Sequence, residues 1–164
     1  MQDHKIYGPF SQIITMDNLS MKGSIADEQL QIITNGGILT TGDLIVDVGS
    51  FDTLRAGNPA AGIIETDGDT VALPGFIDPH THICFAGSRA NDYALRISGK
   101  SYLEIAKEGG GIWKTVQKTR EAPLEFLTEK TLERASKLLK SGITTAEVKS
   151  GYGLTRDHEL KMLK

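Results

Sequence analysis

The hydrophobic pattern of the chain changes character near residue 70. Up to that point, short apolar or β-branched patches alternate with turn residues, and no helical period is sustained. Asn35-Gly36-Gly37 stands between two such patches and predicts a hairpin turn, and Thr41-Gly42-Asp43 predicts another turn. Residues 1–70 are therefore predicted to form a small β-sheet module, with the polar stretch 16–27 as an insertion or a flexible loop.

A new strand is predicted just after this module. Asp67-Gly68-Asp69 predicts a turn, and Pro74-Gly75 predicts a second turn that separates the module from the next strand. The apolar pair Phe76-Ile77 then predicts the start of that strand, which is expected to be buried. It ends in the polar run Asp78-Pro79-His80.

Helical patterns dominate the chain after residue 100. Ser101 and Glu104 have the spacing of a capping box, and Gly109-Gly110-Gly111 ends the helix that they begin. A short helix around Trp113 follows. Apolar residues at spacings of three and four then predict a long helix over residues 123–140.

A second strand and the start of a further helix complete the alternation. The β-branched run Ile143–Val148 is strand-like, and residues 157–164 have the composition of a helix start. The order strand, helices, strand, helix is typical of the opening βαβα of a parallel α/β structure. Residues 71–164 are accordingly predicted to form a second domain.

Composition narrows the class of protein. The 164 residues are 39% hydrophobic and 24% charged, which is enough apolar material for a packed core. The net charge of −3 and the absence of a basic run argue against a nucleic-acid partner. No stretch approaches the roughly 20 apolar residues of a membrane helix, and the single cysteine, Cys84, forms no intramolecular disulfide. The sequence thus predicts a cytoplasmic protein without a membrane partner.

The candidate chemistry lies at His80-Thr81-His82. Side chains two residues apart on a strand point to the same face, so the two imidazoles can converge on one metal ion. The alternative is a pair of surface or packed histidines. Asp78, just before them, either orients one ring or simply ends the strand.

Longer runs around these histidines carry a resemblance. Residues 67–82, with Pro-Gly-Phe-Ile-Asp followed by His-x-His, resemble the signature of the amidohydrolase superfamily. Four further runs are similar to the imidazolonepropionase family within it. They are Phe85-Ala86-Gly87-Ser88-Arg89, Ser98-Gly99-Lys100-Ser101-Tyr102, Glu108-Gly109-Gly110-Gly111-Ile112, and residues 144–154.

The resemblance implies a fold and a reaction. The fold is the start of a (β/α)8 metallohydrolase barrel, incomplete in this chain, preceded by a small β-sandwich-type module. The reaction is hydrolysis of the cyclic amide of 4-imidazolone-5-propanoate to N-formimidoyl-L-glutamate in histidine degradation. His80 and His82 would bind one metal ion, zinc or iron, Arg89 the substrate's propionate carboxylate, and Tyr152 its planar ring.

The residues alone leave other interpretations open for the substrate-binding pair. Arg89 is otherwise a surface side chain paired with Asp92 or Glu104, and Tyr152 is otherwise a packing side chain on a glycine-containing turn. Because the family resembled is mononuclear, Lys149 is expected to be structural or to support a ligand rather than to bridge two metals. The role of the neighbouring Glu147 stays open.

The predicted site is only half present. The resemblance implies further metal ligands and an acid/base group, and none is found here, so the catalytic residues are expected beyond Lys164. The chain is therefore predicted to be truncated and to be inactive by itself, while the full-length parent is expected to be a homodimer. The alternatives are another cyclic amidase or deaminase of the same superfamily, or a non-catalytic metal-binding module.

Overall fold

The computed structural model describes residues 3–67 and 69–164. Within these ranges the chain forms two compact units, one ending at Pro74 and the other beginning at Gly75. The turn predicted at Asp67-Gly68-Asp69 is centred on a residue outside the described ranges.

The first unit is a five-stranded mixed sheet in the order β3-β2-β1-β4, with β5 also paired to β1. The pairs β1–β2 and β2–β3 are antiparallel, whereas β4 and β5 both run parallel to β1. The strands are β1 (His4–Ile14), β2 (Ile32–Thr41), β3 (Leu44–Ser50), β4 (Gly62–Ile64) and β5 (Val71–Ala72). The prediction of a small β-sheet module here is confirmed.

A short helix, α1 (Phe51–Gly57), packs on this sheet, although the sequence predicted no helix before residue 71. Its apolar face consists of Phe51 and Leu54, which form a buried cluster with Ile6 and Leu39. Two apolar residues three positions apart are too few to show a helical period, because such a period becomes visible only over several turns. The helix is defined by its packing rather than by its own pattern.

The hairpin turn predicted at Asn35-Gly36-Gly37 is wrong, since these residues lie inside β2. Asn35 adopts a left-handed φ of 48° there, and its side-chain amide donates to Asp52 at 2.9 Å. A Cβ at Gly36 would lie 2.5 Å from Cδ1 of Ile13. The Asn-Gly pair therefore allows a left-handed residue within the strand and a close approach of the Ile13 side chain, and it does not reverse the chain.

The other turn of this unit is where the sequence placed it. Gly42 and Asp43 join β2 to β3, and Gly42 has a φ of 56°, which favours glycine. The polar stretch 16–27, predicted as an insertion or a flexible loop, lies in segment 15–31, which contains no strand and a single 3-10 turn, Asp27–Gln29.

The second unit pairs two parallel strands, β6 (Phe76–Thr81) and β7 (Ile143–Val148). Helices connect and follow them: α2 (Ala90–Ile97), α3 (Tyr102–Lys107), α4 (Gly111–Glu121), α5 (Leu124–Lys140) and α6 (Arg156–Met162). Parallel strands joined through helices make this an α/β fold, as predicted.

Local signals in the sequence located most of these helices. Ser101 caps α3, and its hydroxyl and the Glu104 carboxylate form the predicted capping box. Pro123 stands directly before α5 as its N-cap, and α5 ends where Ser141-Gly142 follows. The sequence did not predict α2, whose eight residues are too few to show a sustained helical period.

The strand β6 is not buried as predicted. Phe76 is 54% and Ile77 69% exposed, and most of β7 is exposed as well. Burial of a parallel strand depends on elements that cover both of its faces. Within the described residues β6 is paired only with β7.

The core of the second unit lies next to the strand ends, not under the strands. Its buried cluster contains Cys84, Ala86, Ala122, Leu127 and Met162, with Tyr152 packed against it. Cys84 is buried as a free cysteine. Among the helices described, none has the length and apolar content needed to cross a membrane.

Candidate metal centre and substrate-binding site

Two imidazole rings lie together at the carboxyl end of β6. His80 is the last residue but one of the strand, and His82 is the first residue after the strand. Their ring centroids are 5.2 Å apart, with the ring planes inclined by 65°. The alternation of extended backbone brings the side chains to one side, as the His-x-His spacing predicts.

Asp78 supports the backbone of this strand end rather than a ring. Its Oδ1 accepts a hydrogen bond from the backbone N–H of His80 at 3.2 Å. Of the two roles left open by the sequence, orientation of an imidazole is therefore not the one that the structure shows.

The His82 ring is covered by the loop that follows β7. A Cβ at Gly151 would lie 3.0 Å from Cε1 and 3.3 Å from Nδ1 of His82, and Gly151 has a φ of 149°. A side chain at this position would be strained and would also press on the imidazole. Glycine thus lets the loop backbone pass directly beside the ring.

The chemistry of the two rings fits one side of a metal site. Nδ1 of His82 is buried and makes no hydrogen bond to the described residues. This nitrogen is therefore not engaged by another group of the described protein. Neutral imidazole is a ligand for zinc and iron. Across residues 3–67 and 69–164, no group of three or more His, Cys, Asp or Glu side chains is arranged to hold a metal. His80 and His82 would thus contribute two donors of a larger set.

Glu147 and Lys149 form an ion pair at the end of β7. The hydrogen bond from Lys149 and the positive charge of Lys149 hold the pKa of the Glu147 carboxyl below its usual value, although desolvation opposes them. The backbone N–H of Lys149 donates to the Thr81 carbonyl at 2.8 Å. Both residues therefore lie beside the histidines, and their ammonium and carboxylate groups are engaged with each other.

Tyr152 contacts His82 edge-on. Its ring centroid is 5.6 Å from that of His82 and also 5.6 Å from that of Phe85. The three rings form a row that begins at the predicted metal ligand. The structure thus places Tyr152 between His82 and Phe85, and its contact with a substrate stays a prediction.

The loop that carries Tyr152 is anchored by a carboxylate that the sequence did not single out. Glu159, on α6, accepts hydrogen bonds from the backbone N–H groups of Gly153 at 2.9 Å and Leu154 at 2.6 Å. Burial raises the pKa of the Glu159 carboxyl, but hydrogen bonds from Ser150, Leu154, Gly153 and Gly151 outweigh it and leave the pKa below its usual value. The charged carboxylate therefore fixes the loop.

Arg134, on α5, anchors the segment that comes after the histidines. Its guanidinium stacks 3.6 Å from the Phe85 ring centroid. One terminal nitrogen donates to the carbonyls of Ile83 at 2.7 Å and Phe85 at 2.8 Å. Burial lowers the pKa of this guanidinium. Arg134 thereby sets the position of the ring against which Tyr152 packs.

Arg89 lies in the turn that leads into α2, and its Nε donates to Oδ2 of Asp92 at 3.2 Å. This is one of the two pairings that the alternative interpretation named. The side chain is nevertheless 44% exposed, and it lines a cavity of about 470 Å³ together with Tyr152 and Phe85. His80 and His82 are not among the residues lining that cavity. The structure therefore brings Arg89 and Tyr152 to one cavity, and Tyr152 also contacts His82.

Sequence reasoning missed three residues that shape this site, namely Gly151, Glu159 and Arg134. The flanking glycines of the Ser-Gly-Tyr-Gly run were a signal for Gly151, because they indicate close backbone approach. Glu159 and Arg134 act through hydrogen bonds from or to backbone groups of other segments, which no local pattern reveals.

A model of the amidohydrolase family matches residues 71–154. Imidazolonepropionases are similar to the chain as well. That of Serratia proteamaculans is 44% identical over 141 residues, which cover 86% of this chain and 34% of the relative. That of Symbiobacterium thermophilum is 47% identical over 137 residues, covering 81% and 32%. That of Fusobacterium nucleatum is 40% identical over 166 residues, covering 100% and 40%. The chain thus spans between about a third and two fifths of the length of these relatives.

Solved structures share the fold at low identity. The guanine deaminase of E. coli superimposes with a TM-score of 0.59 at 18% identity, covering 98% of this chain and 32% of that one. A guanine deaminase of C. acetobutylicum with bound guanine gives a TM-score of 0.56 at 16% identity, covering 97% and 32%. Identities this low show a common fold and say nothing of the substrate. Since the family model covers more than half of the chain, including both parallel strands and the loops after them, the chain belongs to the amidohydrolase family.

Proposed function

We propose that this protein, at its native length, hydrolyses the cyclic amide of 4-imidazolone-5-propanoate to N-formimidoyl-L-glutamate, a step of histidine degradation. The observation that carries the proposal is the common cavity of Arg89 and Tyr152, with Tyr152 in edge contact with His82. A cation for a carboxylate and a flat ring for a heterocycle are thus close to a candidate metal ligand. The similarity to imidazolonepropionases supports the same substrate.

The proposed reaction adds water across one bond. The water oxygen bonds to the ring carbonyl carbon, and the bond from that carbon to the ring nitrogen breaks. The carbonyl carbon becomes the α-carboxylate of the product, and the released nitrogen takes a proton and remains in the formimidoyl group.

In this proposal His80 and His82 hold the metal ion, zinc or iron. When bound, such an ion would act as a Lewis acid and would lower the pKa of water, so that hydroxide is available as a nucleophile near neutral pH. The role of the protein is to hold the two rings in place. It does so through the extended backbone of β6 and through Gly151, which lies close to His82.

Arg89 binds the propionate carboxylate, and Tyr152 lies against the imidazolone ring. A guanidinium presents a planar fork of N–H donors that matches the two oxygens of a carboxylate. Because Nε of Arg89 is occupied by Asp92, the terminal nitrogens are the donors that remain for the substrate. Tyr152 is held in place by Phe85 and by the loop that Glu159 anchors.

The same proposal includes the finer fold. Residues 75–164 form the first two strand–helix units of a (β/α)8 barrel, and residues 1–70 belong to a β-sandwich-type module. The exposed apolar residues of β6 support this, because parallel strands are normally covered on both faces. The cytoplasmic location and the homodimer stay predictions.

A substrate panel tests the proposed function. The native-length protein, purified with its metal, is assayed on 4-imidazolone-5-propanoate, dihydroorotate, hydantoin and guanine. We expect N-formimidoyl-L-glutamate as the product, with kcat/KM at least about 100-fold higher than on the other compounds. Preferential release of ammonia from guanine, or no ring opening of the imidazolone, would overturn the proposal.

A further inference from the structure

Asp92 is a buried carboxylate in the first turn of α2. Its residue exposure is 6%, and within residues 3–67 and 69–164 it is the only charged residue in the buried set. Charges are rarely buried unless they are paired and hydrogen-bonded, because desolvation disfavours the ionised form. A carboxylate in this place therefore points to a specific task.

Two donors converge on one oxygen of this carboxylate. Oδ2 of Asp92 accepts from the backbone N–H of Gly111 at 2.8 Å and from Nε of Arg89 at 3.2 Å. The Gly111 hydrogen bond lowers the pKa of the Asp92 carboxyl, burial acts against it, and Arg89 lowers it further. Gly111 is the first residue of α4, an 11-residue helix whose N-terminus favours a negative charge. The anion is thus held by the fold independently of Arg89.

The glycine run between α3 and α4 is shaped around Asp92. A Cβ at Gly110 would lie 2.8 Å from Oδ1 of Asp92 and 2.7 Å from Cγ2 of Ile105. Gly111 has a φ of 78°, which glycine adopts without strain. The glycine run is therefore packed against the carboxylate, and Gly111 donates to it.

Asp92 restricts Arg89 in a way that suits carboxylate binding. An arginine that is 44% exposed has many rotamers, and ordering them costs free energy when a ligand binds. A hydrogen bond at Nε fixes the plane of the guanidinium and leaves both terminal NH2 groups for a second partner. Those groups belong to the side chain that lines the cavity shared with Tyr152.

We propose that Asp92 is a positioning residue for the substrate carboxylate: it holds Arg89 through Nε, so that the guanidinium is oriented before the substrate arrives. This inference rests on the proposed function, which assigns the substrate's carboxylate to Arg89. The inference assigns a role to Asp92, which the resemblance does not. It also links Arg89 to the start of α4 through the Asp92 carboxylate.

The test separates binding of the carboxylate from general damage. Asp92→Asn in the native-length, metal-loaded protein keeps the side-chain shape and removes the charge. We expect KM for 4-imidazolone-5-propanoate to rise about tenfold, with kcat changed less than about threefold. For 5-methyl-4-imidazolone, which lacks the carboxylate, kcat/KM is expected to stay at the wild-type value.

Glu104→Gln is the matched control, because it removes a carboxylate from the neighbouring helix α3, where Glu104 contacts Ser101 and not Arg89. It is expected to leave both substrates unaffected. If Asp92→Asn folds poorly, Asp92→Glu keeps the charge and displaces it by one methylene, and the same split between the two substrates is expected. A loss of equal size on both substrates would show a merely structural role and overturn the inference.

A second readout does not depend on turnover. The Nε–H resonance of Arg89, assigned by its disappearance in Arg89→Lys, should exchange slowly with water in the wild type and rapidly in Asp92→Asn. An unchanged exchange rate overturns the role of Asp92 even if the enzyme is active. If the wild type opens neither ring while this signal behaves as expected, the substrate assignment fails and the Arg89–Asp92 contact stands.

Discussion

At the scale of single residues, His82 is held by its neighbours. Its Nδ1 is buried without a hydrogen bond to the described residues, its ring meets Tyr152, and Gly151 passes beside it. The position of the ring is consequently sensitive to any atom added to the loop after β7. This sensitivity can be tested with one methyl group.

Gly151→Ala should weaken metal retention. The new Cβ would lie 3.0 Å from Cε1 of His82 and would sit on a backbone with a φ of 149°. Displacement of the ring by a few tenths of an ångström degrades a ligand geometry, so we expect metal affinity to fall about tenfold or more. Metal content after dialysis against a graded chelator measures it.

Gly99→Ala is the control for this substitution. Gly99 has a φ of 96°, also unfavourable for alanine, but nothing lies within 4 Å of its Cβ. It should destabilise the fold without changing metal affinity. Equal metal loss in both variants would show that backbone strain, and not contact with His82, is responsible.

The sequence was informative about single residues wherever the signal was local. The His-x-His spacing predicted two neighbouring rings, and the structure has them 5.2 Å apart. For Arg89 the sequence left two interpretations. The pair with Asp92 forms and the side chain also lines a cavity with Tyr152, while binding of a substrate carboxylate stays a prediction. The anchors Glu159 and Arg134 lay beyond sequence reasoning because their partners are 5 to 6 and 49 to 51 residues away and are backbone groups.

At the level of secondary structure, β2 contains an Asn-Gly pair that does not form a turn. Asn-Gly favours a hairpin, yet here the chain continues through it as a strand. Glycine is needed at these two positions of the strand because Ile13 and Phe51 occupy the space where side chains on Gly36 and Gly37 would lie. Such contacts between elements are invisible in a local pattern, whereas the capping box at Ser101 is complete within four residues and was predicted correctly.

Gly36→Ala tests this account of β2. Its Cβ would lie 2.5 Å from the side chain of Ile13, which is buried and cannot move away freely. Overpacking of this kind costs about 1–3 kcal/mol of unfolding free energy. Denaturant unfolding of the native-length protein measures it.

Gly49→Ala, on the neighbouring strand β3, is the matched control. Gly49 pairs with Gly37 across the ladder and has nothing within 4 Å of its Cβ, so its substitution should change stability by no more than about 0.5 kcal/mol. If the two alanines cost the same, the close approach at Gly36 is not what shapes the strand.

At the scale of the whole molecule, the order of elements was predictable and their burial was not. The alternation of strand and helix after Gly75 follows from local patterns and is confirmed. Burial of β6 was predicted from its apolar residues, but Ile77 is 69% exposed. Burial depends on which other elements cover a strand, and the two strands β6 and β7 form a sheet by themselves in the described residues.

Ile77→Asp tests the proposed barrel. If β6 is a barrel strand at native length, a carboxylate at Ile77 is forced into an apolar environment and should lower the unfolding free energy by about 3 kcal/mol or more. Met21→Asp, at a side chain that is 99% exposed in the 15–31 segment, should change it by less than about 0.5 kcal/mol. Equal tolerance of both substitutions would contradict the barrel.

We propose that the end of β6 is one side of the metal centre of a hydrolase. An anomalous difference map from crystals of the active, native-length protein, recorded at the absorption edge of its metal, is the decisive measurement. We expect a single peak within bonding distance of imidazole nitrogens of both His80 and His82. A peak away from both rings, or full hydrolytic activity in crystals without a peak, would contradict it.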